Sequence, residues 1–266
     1  MAAQPLLRLG TRGSPLALAQ TREVRARLAA ASPELVPQGA VEIVVIKTTG
    51  DKVQNRPLAE IGGKGLFTKE IEEALLDGRV DAAVHSMKDL PTWLPEGLAV
   101  SAILPREDPR DAFFSPHGSS LAALPAGAVV GTASLRRQAQ VLLARPDLTV
   151  TPLRGNVETR LRKLDEGQVD ATLLAVAGLR RLGLGDRIAA VLPPEVMLPA
   201  VAQGAIGVEI RSDDERTRGL LDALNDRGSQ RRVAAERACL AALEGSCRTP
   251  IAALAELDGD GTVHLR

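Results

Sequence analysis

His85, Ser86, Lys88 and Asp89 stand within five residues of one another, just after the apolar run Val80, Ala82, Ala83 and Val84. A hydroxyl, an ammonium and a carboxylate at the end of a buried strand can bind an anion and balance a cation. Open α/β sheets place reacting groups at the carboxyl ends of their strands. The ordinary alternative is a strand exit with Lys88 and Asp89 paired in solvent, and such pairs carry little information. The stretch alone leaves both readings open.

A second pattern is cationic. Arg12 and Ser14 precede a helix expected over 15–31, where Ser14 suits the N-cap and Pro15 the first turn. Thr132, Ser134, Arg136 and Arg137 repeat that arrangement after the apolar Val129-Val130, and Arg154 and Arg160 follow the strand-like 149–153. With Arg181 these turns would line a cleft with guanidinium forks and helix N-termini, which suits a ligand bearing several carboxylates or phosphates. An Arg pair on a helix is more often a solvated face; recurrence at strand ends raises the other reading. Asp89 would be the single anion there, able to stabilise a developing cation or to shuttle a proton to a leaving amine. His85 is read as scaffolding.

Several chemistries are excluded. Gly62-Gly63-Lys64-Gly65 lacks the spacing of a phosphate-binding P-loop. The histidines 85, 117 and 264 are scattered, with no metal-ligand spacing. Cys239 sits among Ala and Leu as an inert thiol, whereas Cys247 lies in a Gly-Ser-Cys-Arg turn that favours thiolate. Net charge is zero and aromatic residues make up 2%, which argues against a nucleic-acid surface. No apolar run suits a membrane span, and the N-terminus does not read as a signal peptide.

The elements that must position these groups read as α/β. Strands are expected at 6–9, 41–46, 80–84, 98–104, 129–131, 149–153, 169–176 and 205–210, and helices at 67–76, 213–226 and 229–243, the last capped by Ser229. Asp258–Gly261 reads as a hairpin turn between 251–257 and 263–265. The glycine-rich 47–65 is long for a connection and is expected to act as a lid. Val-Asp-Ala occurs in both RVDAAVHSMKD and QVDATLLAVAG, an echo that points to two similar halves.

These residues resemble the porphobilinogen deaminase family. The resemblance rests on TRGSPLALAQ (11–20), GGKGLFTKEIE (62–72), VHSMKDLP (84–91), REDPRDA (106–112), GTASLRRQ (131–138), LRGNVETRLRKLD (153–165), LAVAGLRRLG (174–183), VAQGAIGVE (201–209) and LEGSCRTPIAA (243–253). It implies a transferase of tetrapyrrole biosynthesis that deaminates porphobilinogen and joins four units head to tail into hydroxymethylbilane. It implies a covalent dipyrromethane cofactor on Cys247 and a catalytic Asp89. Ser86, Lys88, Asp89, Thr132, Ser134, Arg136, Arg137 and Arg160 match cofactor contacts; Arg12, Ser14, Gln20, Lys64, Phe67, Arg154 and Arg181 match substrate contacts. A cytoplasmic monomer without nucleic-acid or membrane partners is implied.

The fold implied is α/β: two similar type II periplasmic-binding-protein-like domains with a cleft between them, plus a smaller α+β third domain. The expected boundaries are 1–104 with 201–222, 105–200, and 223–266. Because the chain stops in a hairpin at Arg266, the third domain is expected to be C-terminally truncated. The competing reading is a two-lobed anion-binding protein without catalysis, which would leave Asp89 and Cys247 without a task.

Overall fold

The computed structural model describes residues 5–52, 67–246 and 249–266. Their strands are β1 (Leu7–Thr11), β2 (Val41–Val45), β3 (Ala82–Ser86), β4 (Leu98–Ile103), β5 (Asp111–Phe114), β6 (Val129–Gly131), β7 (Thr149–Thr151), β8 (Ala171–Ala175), β9 (Ala190–Leu192), β10 (Ile206–Arg211), β11 (Ala255–Leu257) and β12 (Val263–Leu265). They divide into two compact units. The first holds 5–52, 67–106 and 205–234; the second holds 107–204, 235–246 and 249–266.

The first unit follows from its apolar spacing. Helix Pro15–Ala31 starts where Ser14 accepts the Ala17 N–H and Pro15 occupies the first turn. Its buried face is Ala17, Gln20, Thr21, Val24 and Leu28, a helical repeat. Val24 and Leu28 pack on Leu7, Leu9, Val84, Val208 and Ile210 from one side of the sheet. On the other side, helix Lys69–Leu76 lays Ile71, Ala74 and Leu75 against Val80, Ala83 and Leu98. Each fully buried aliphatic side chain contributes about 1.5–3 kcal/mol.

The two sheets share one topology. The first runs β2-β1-β3-β10-β4 and the second β7-β6-β8-β5-β9. In the first, β10 alone is antiparallel to its neighbours β3 and β4; in the second, β5 alone is antiparallel to β8 and β9. Each antiparallel strand is the first that the chain forms after crossing from the other unit.

The Val-Asp-Ala echo has a structural cause. Asp81, ahead of β3, accepts the Arg8 N–H of β1 at 2.7 Å, and Asp170, ahead of β8, accepts the Val129 N–H of β6 at 2.7 Å. The reverse bonds match as well: Asp81 N–H donates to the Arg8 carbonyl and Asp170 N–H to that of Val129. The same tripeptide closes the same strand pair in both halves.

The elements differ from expectation in three places. No strand is expected at 111–114 or at 190–192, yet Asp111–Phe114 is a wholly buried strand and Ala190–Leu192 an edge strand. Ser229 does not cap the last helix: Asp226 accepts the Ser229 N–H at 2.6 Å, while the buried Ser229 hydroxyl accepts the Arg106 N–H. The helix therefore begins earlier, at Arg227. The segment from 235 onward groups with the second unit. The fully buried Glu236 carboxylate accepts N–H groups of Ala202 and Ala255, and Ala253 N–H donates to Pro199. The expected hairpin is present as β11 and β12.

Candidate functional site

In the first unit, the turn after β3 sorts its side chains by anchor and display. Met87 and Leu90 are buried. A Cβ on Gly207 of β10 would stand 2.1 Å from the Met87 sulfur, so the glycine makes room for the Met87 side chain as it is packed here. Asp89 N–H donates to the Ser86 carbonyl, and Met87 N–H to Ala205. Ser86 is fixed by Gln20, whose amide donates to its hydroxyl at 2.8 Å from a position 4% exposed. Asp89 is left exposed.

A pocket opens above this turn, lined by Arg12, Ala17, Gln20, Phe67, Thr68, Val84, His85, Ser86 and Asp89. Asp89 is the only carboxylate among them. The Arg12 guanidinium carbon sits 4.0 Å from the Phe67 ring centroid, a cation–π stack that orients the fork. The Ser14 oxygen caps its helix through Ala17 N–H at 3.2 Å and still has a hydroxyl proton to donate. The pocket thus gathers the expected Asp89, Ser86, Arg12, Gln20 and Phe67. It offers a fixed cation, hydroxyl and amide donors and one anion, the requirements for an acidic ligand that becomes positively charged elsewhere in its frame.

In the second unit, Ser134 caps helix Leu135–Ala144, and its N–H donates to the Thr132 hydroxyl. Arg136 and Arg137 turn inward from that helix. Arg136 Nη2 donates to one Asp111 oxygen at 2.8 Å and Arg137 Nη2 to the other at 2.8 Å. Their remaining fork donors reach the Leu198 and Leu173 carbonyls, and only Arg136 Nε is left buried without a partner among the described residues. Gln203 adds a bond to Asp111. Burial alone would push the Asp111 carboxyl up, but the charges of Arg137 and Arg136 and their hydrogen bonds hold it far below the ordinary range. These two forks, expected on ligand carboxylates, are held here by a carboxylate of the chain itself.

The third turn is different. Arg154 Nη1 is buried with no partner among the described residues, while Lys163 donates to its carbonyl and Arg160 Nε to that of Gly155. Gly155 has φ +124°, and a Cβ there would meet Thr159 Cγ2 at 2.7 Å. The loop is thereby folded onto helix Val157–Asp165, whose cap is Asn156. Arg181 Nη2 donates to the Gly204 carbonyl at 3.0 Å. Thr132 and Ser134 follow β6, and Arg154 and Arg160 follow β7, its parallel neighbour. Lys64 and Cys247, and residues 53–66 of the expected lid, lie outside the described residues.

Sequence reasoning missed Asp111, Gln203 and Glu209. Asp111 gave one local signal, a lone acid at the head of the apolar Ala112-Phe113-Phe114. Among the described residues no cluster of His, Cys, Asp or Glu could hold a metal, and no helix is long and apolar enough to cross a membrane.

Residues 7–219 match the family model described as porphobilinogen deaminase, dipyromethane cofactor binding domain, and residues 230–266 the porphobilinogen deaminase C-terminal domain. The chain is 60% identical over 261 residues to the chloroplastic porphobilinogen deaminase of Oryza sativa subsp. japonica, covering 98% of this chain and 73% of that protein. It is 60% identical over 254 residues to the porphobilinogen deaminase of Paracoccus denitrificans, covering 96% and 80%. Among solved structures, a Bacillus subtilis lipoprotein described as methionine-binding superimposes with a TM-score of 0.50 at 15% identity, covering 85% of this chain and 92% of that one. That last likeness is one of fold, the type II periplasmic-binding-protein class. With both family models matched in order and such identity over nearly its whole length, the chain belongs to the porphobilinogen deaminase family.

Proposed function

We propose that the chain deaminates porphobilinogen and joins four units head to tail into hydroxymethylbilane, for tetrapyrrole biosynthesis, with Asp89 as its catalytic carboxylate. The observation that carries the residue assignment is the pocket of the first unit, in which Asp89 is the lone acid among donors. Porphobilinogen bears an acetate and a propionate, so its binding needs guanidinium and hydroxyl donors. Arg12, stacked on Phe67, holds one carboxylate, and Ser14, Ser86, Gln20 and Lys88 supply further donors. As ammonia leaves the aminomethyl carbon, positive charge spreads over the pyrrole to its N–H. Asp89 accepts that N–H and balances the charge, an interaction that strengthens only as the reaction proceeds.

Dipyrromethane carries four carboxylates, and the donor set of the second unit fits it. Thr132 and Ser134, on the turn after β6, and Arg160, on the helix after β7, are its donors; the buried Arg154 Nη1, without a partner among the described residues, awaits a substrate carboxylate. Cys247 would attach the group through its sulfur. Arg136 and Arg137, with Asp111, keep one net positive charge beneath these turns. When bound, the group supplies the pyrrole carbon from which the chain grows. Arg181 and Lys64 complete the substrate contacts. The protein works as a cytoplasmic monomer; its free Cys239 suits a reducing compartment.

The test is intact mass with a product assay. The purified chain should carry two pyrrole units that Cys247→Ser loses. Asp89→Asn should bind substrate and lose about 100-fold to 1,000-fold in kcat; wild-type turnover in that variant removes Asp89 from the role.

A further inference from the structure

Behind the pocket of the first unit lies a set of titratable groups to which the reaction above gives no task. Glu209 of β10 pairs in register with Ala83 of β3, and His85 follows two residues along on the same face. His85 Nε2 lies 2.9 Å from Glu209 Oε2. Helix Lys69–Leu76 covers this face and adds Glu72. The exposures are 6% for His85, 0% for Glu209 and 9% for Glu72. The neighbouring β4 brings no titratable side chain; its Ser101 is the extra residue where the register slips opposite Val208 and Glu209, a bulge of the kind common beside active sites.

His85 and Glu209 are therefore paired away from water, with the charge of Glu72 close enough to act on them. Glu209 Oε1 is buried with no hydrogen-bond partner among the described residues. Burial pushes the Glu72 carboxyl above the ordinary range; Glu209 and Glu73 add to the rise and His85 opposes it. His85 is also a wall of the pocket, beside Ser86 and Asp89. Its Nε2 is committed to Glu209, which leaves Nδ1 for chemistry.

We propose that His85 is the acid–base residue of this pocket, with the buried Glu209 as its positioning partner. The proposal rests on the reading of this pocket as the place of condensation. The proton balance gives His85 its task. The substrate amine enters as an ammonium and leaves as ammonia, so cleavage of the carbon–nitrogen bond requires no added proton. The new carbon–carbon bond replaces a carbon–hydrogen bond of the attacking pyrrole. The electron pair of that bond restores the aromatic ring, and its proton passes to His85 Nδ1. Glu209 balances the imidazolium, which returns the proton to solvent before the next unit binds. Asp89 is thus free to stay ionised beside the cationic pyrrole throughout.

The experiment combines imidazole nitrogen NMR of the whole protein with pH–rate profiles of His85→Gln and Glu209→Gln. In the wild type, neutral His85 should carry its proton on Nε2; a proton on Nδ1 overturns the proposal. Both variants should lose about 100-fold in kcat with KM within about twofold, and the kcat profile should move in Glu209→Gln together with the His85 titration. Wild-type kcat and an unmoved profile in both variants overturn it. Should either variant fail to fold, the wild-type tautomer decides. If the wild type makes no bilane, the pocket reading and this proposal fall together; if it makes bilane and the variants match it, only the role of His85 falls.

Discussion

Asp111 holds two guanidinium groups with no exposure to solvent. Removing its charge would leave Arg136 and Arg137 buried without their anion, and breaking a buried pair in that way costs about 3–5 kcal/mol. Asp111→Asn should therefore lower the denaturation free energy by that amount, read by urea titration. The pH dependence has a fixed sign. The folded-state pKa of Asp111 is depressed below its ordinary 3.8, so its contribution is present above that pH and fades as pH falls through it. The variant should lack this part of the acid loss of stability. The forks of Arg136 and Arg137 were legible as anion binders from residue type and spacing. Their anion was not, because it sits 25 residues upstream of Arg136, at the end of the charged run 106–111. Spacing along a helix identifies which side chains emerge together, and carries no information on which strand lies beneath them.

At the scale of elements, the two strand pairs closed by Asp81 and Asp170 make a matched experiment. Both carboxylates accept one backbone N–H, but Asp81 also takes Arg8 Nε at 3.0 Å and Nη2 at 2.6 Å, where Asp170 has the longer His117 Nε2 contact at 3.4 Å. Leaving a part-buried backbone N–H without its acceptor costs about 1–3 kcal/mol. Asp81→Ala should thus cost more than Asp170→Ala, and equal losses would remove the bidentate contact as a source of stability. The Arg154 loop gives a second case. Gly155→Ala combines a left-handed φ with contact on Thr159, strain of about 1–3 kcal/mol that must move the loop. KM for porphobilinogen should rise while Asp89-dependent chemistry persists, which steady-state kinetics would separate. Helix Pro15–Ala31 and the sheet of each half were readable because caps and apolar periods are local. The four-residue β5 and three-residue β9 were not, since strands that short hold no full alternation and exist through their neighbours.

For the molecule, the chain order of the strands decides which unit can fold first. All five strands of the second sheet lie within 107–204. The first sheet has β10 between β3 and β4, and β10 begins at Ile206, after the second unit has been traversed. Ile206, Val208 and Ile210 are each fully buried, and at about 1.5–3 kcal/mol apiece their loss removes roughly 5–9 kcal/mol. That is comparable with the whole stability of a domain, about 5–15 kcal/mol, and it also leaves the ladder edges of β3 and β4 unpaired. A fragment of residues 1–106 should therefore show no cooperative unfolding transition by circular dichroism, whereas 107–204 should unfold cooperatively at reduced stability, lacking the Glu236 bonds to Ala202 and Ala255. Supplying 205–234 as a separate chain should restore a transition to the first fragment. A cooperative transition in 1–106 alone would mean that β3 and β4 can close without β10, and the order of folding inferred from the topology would fail.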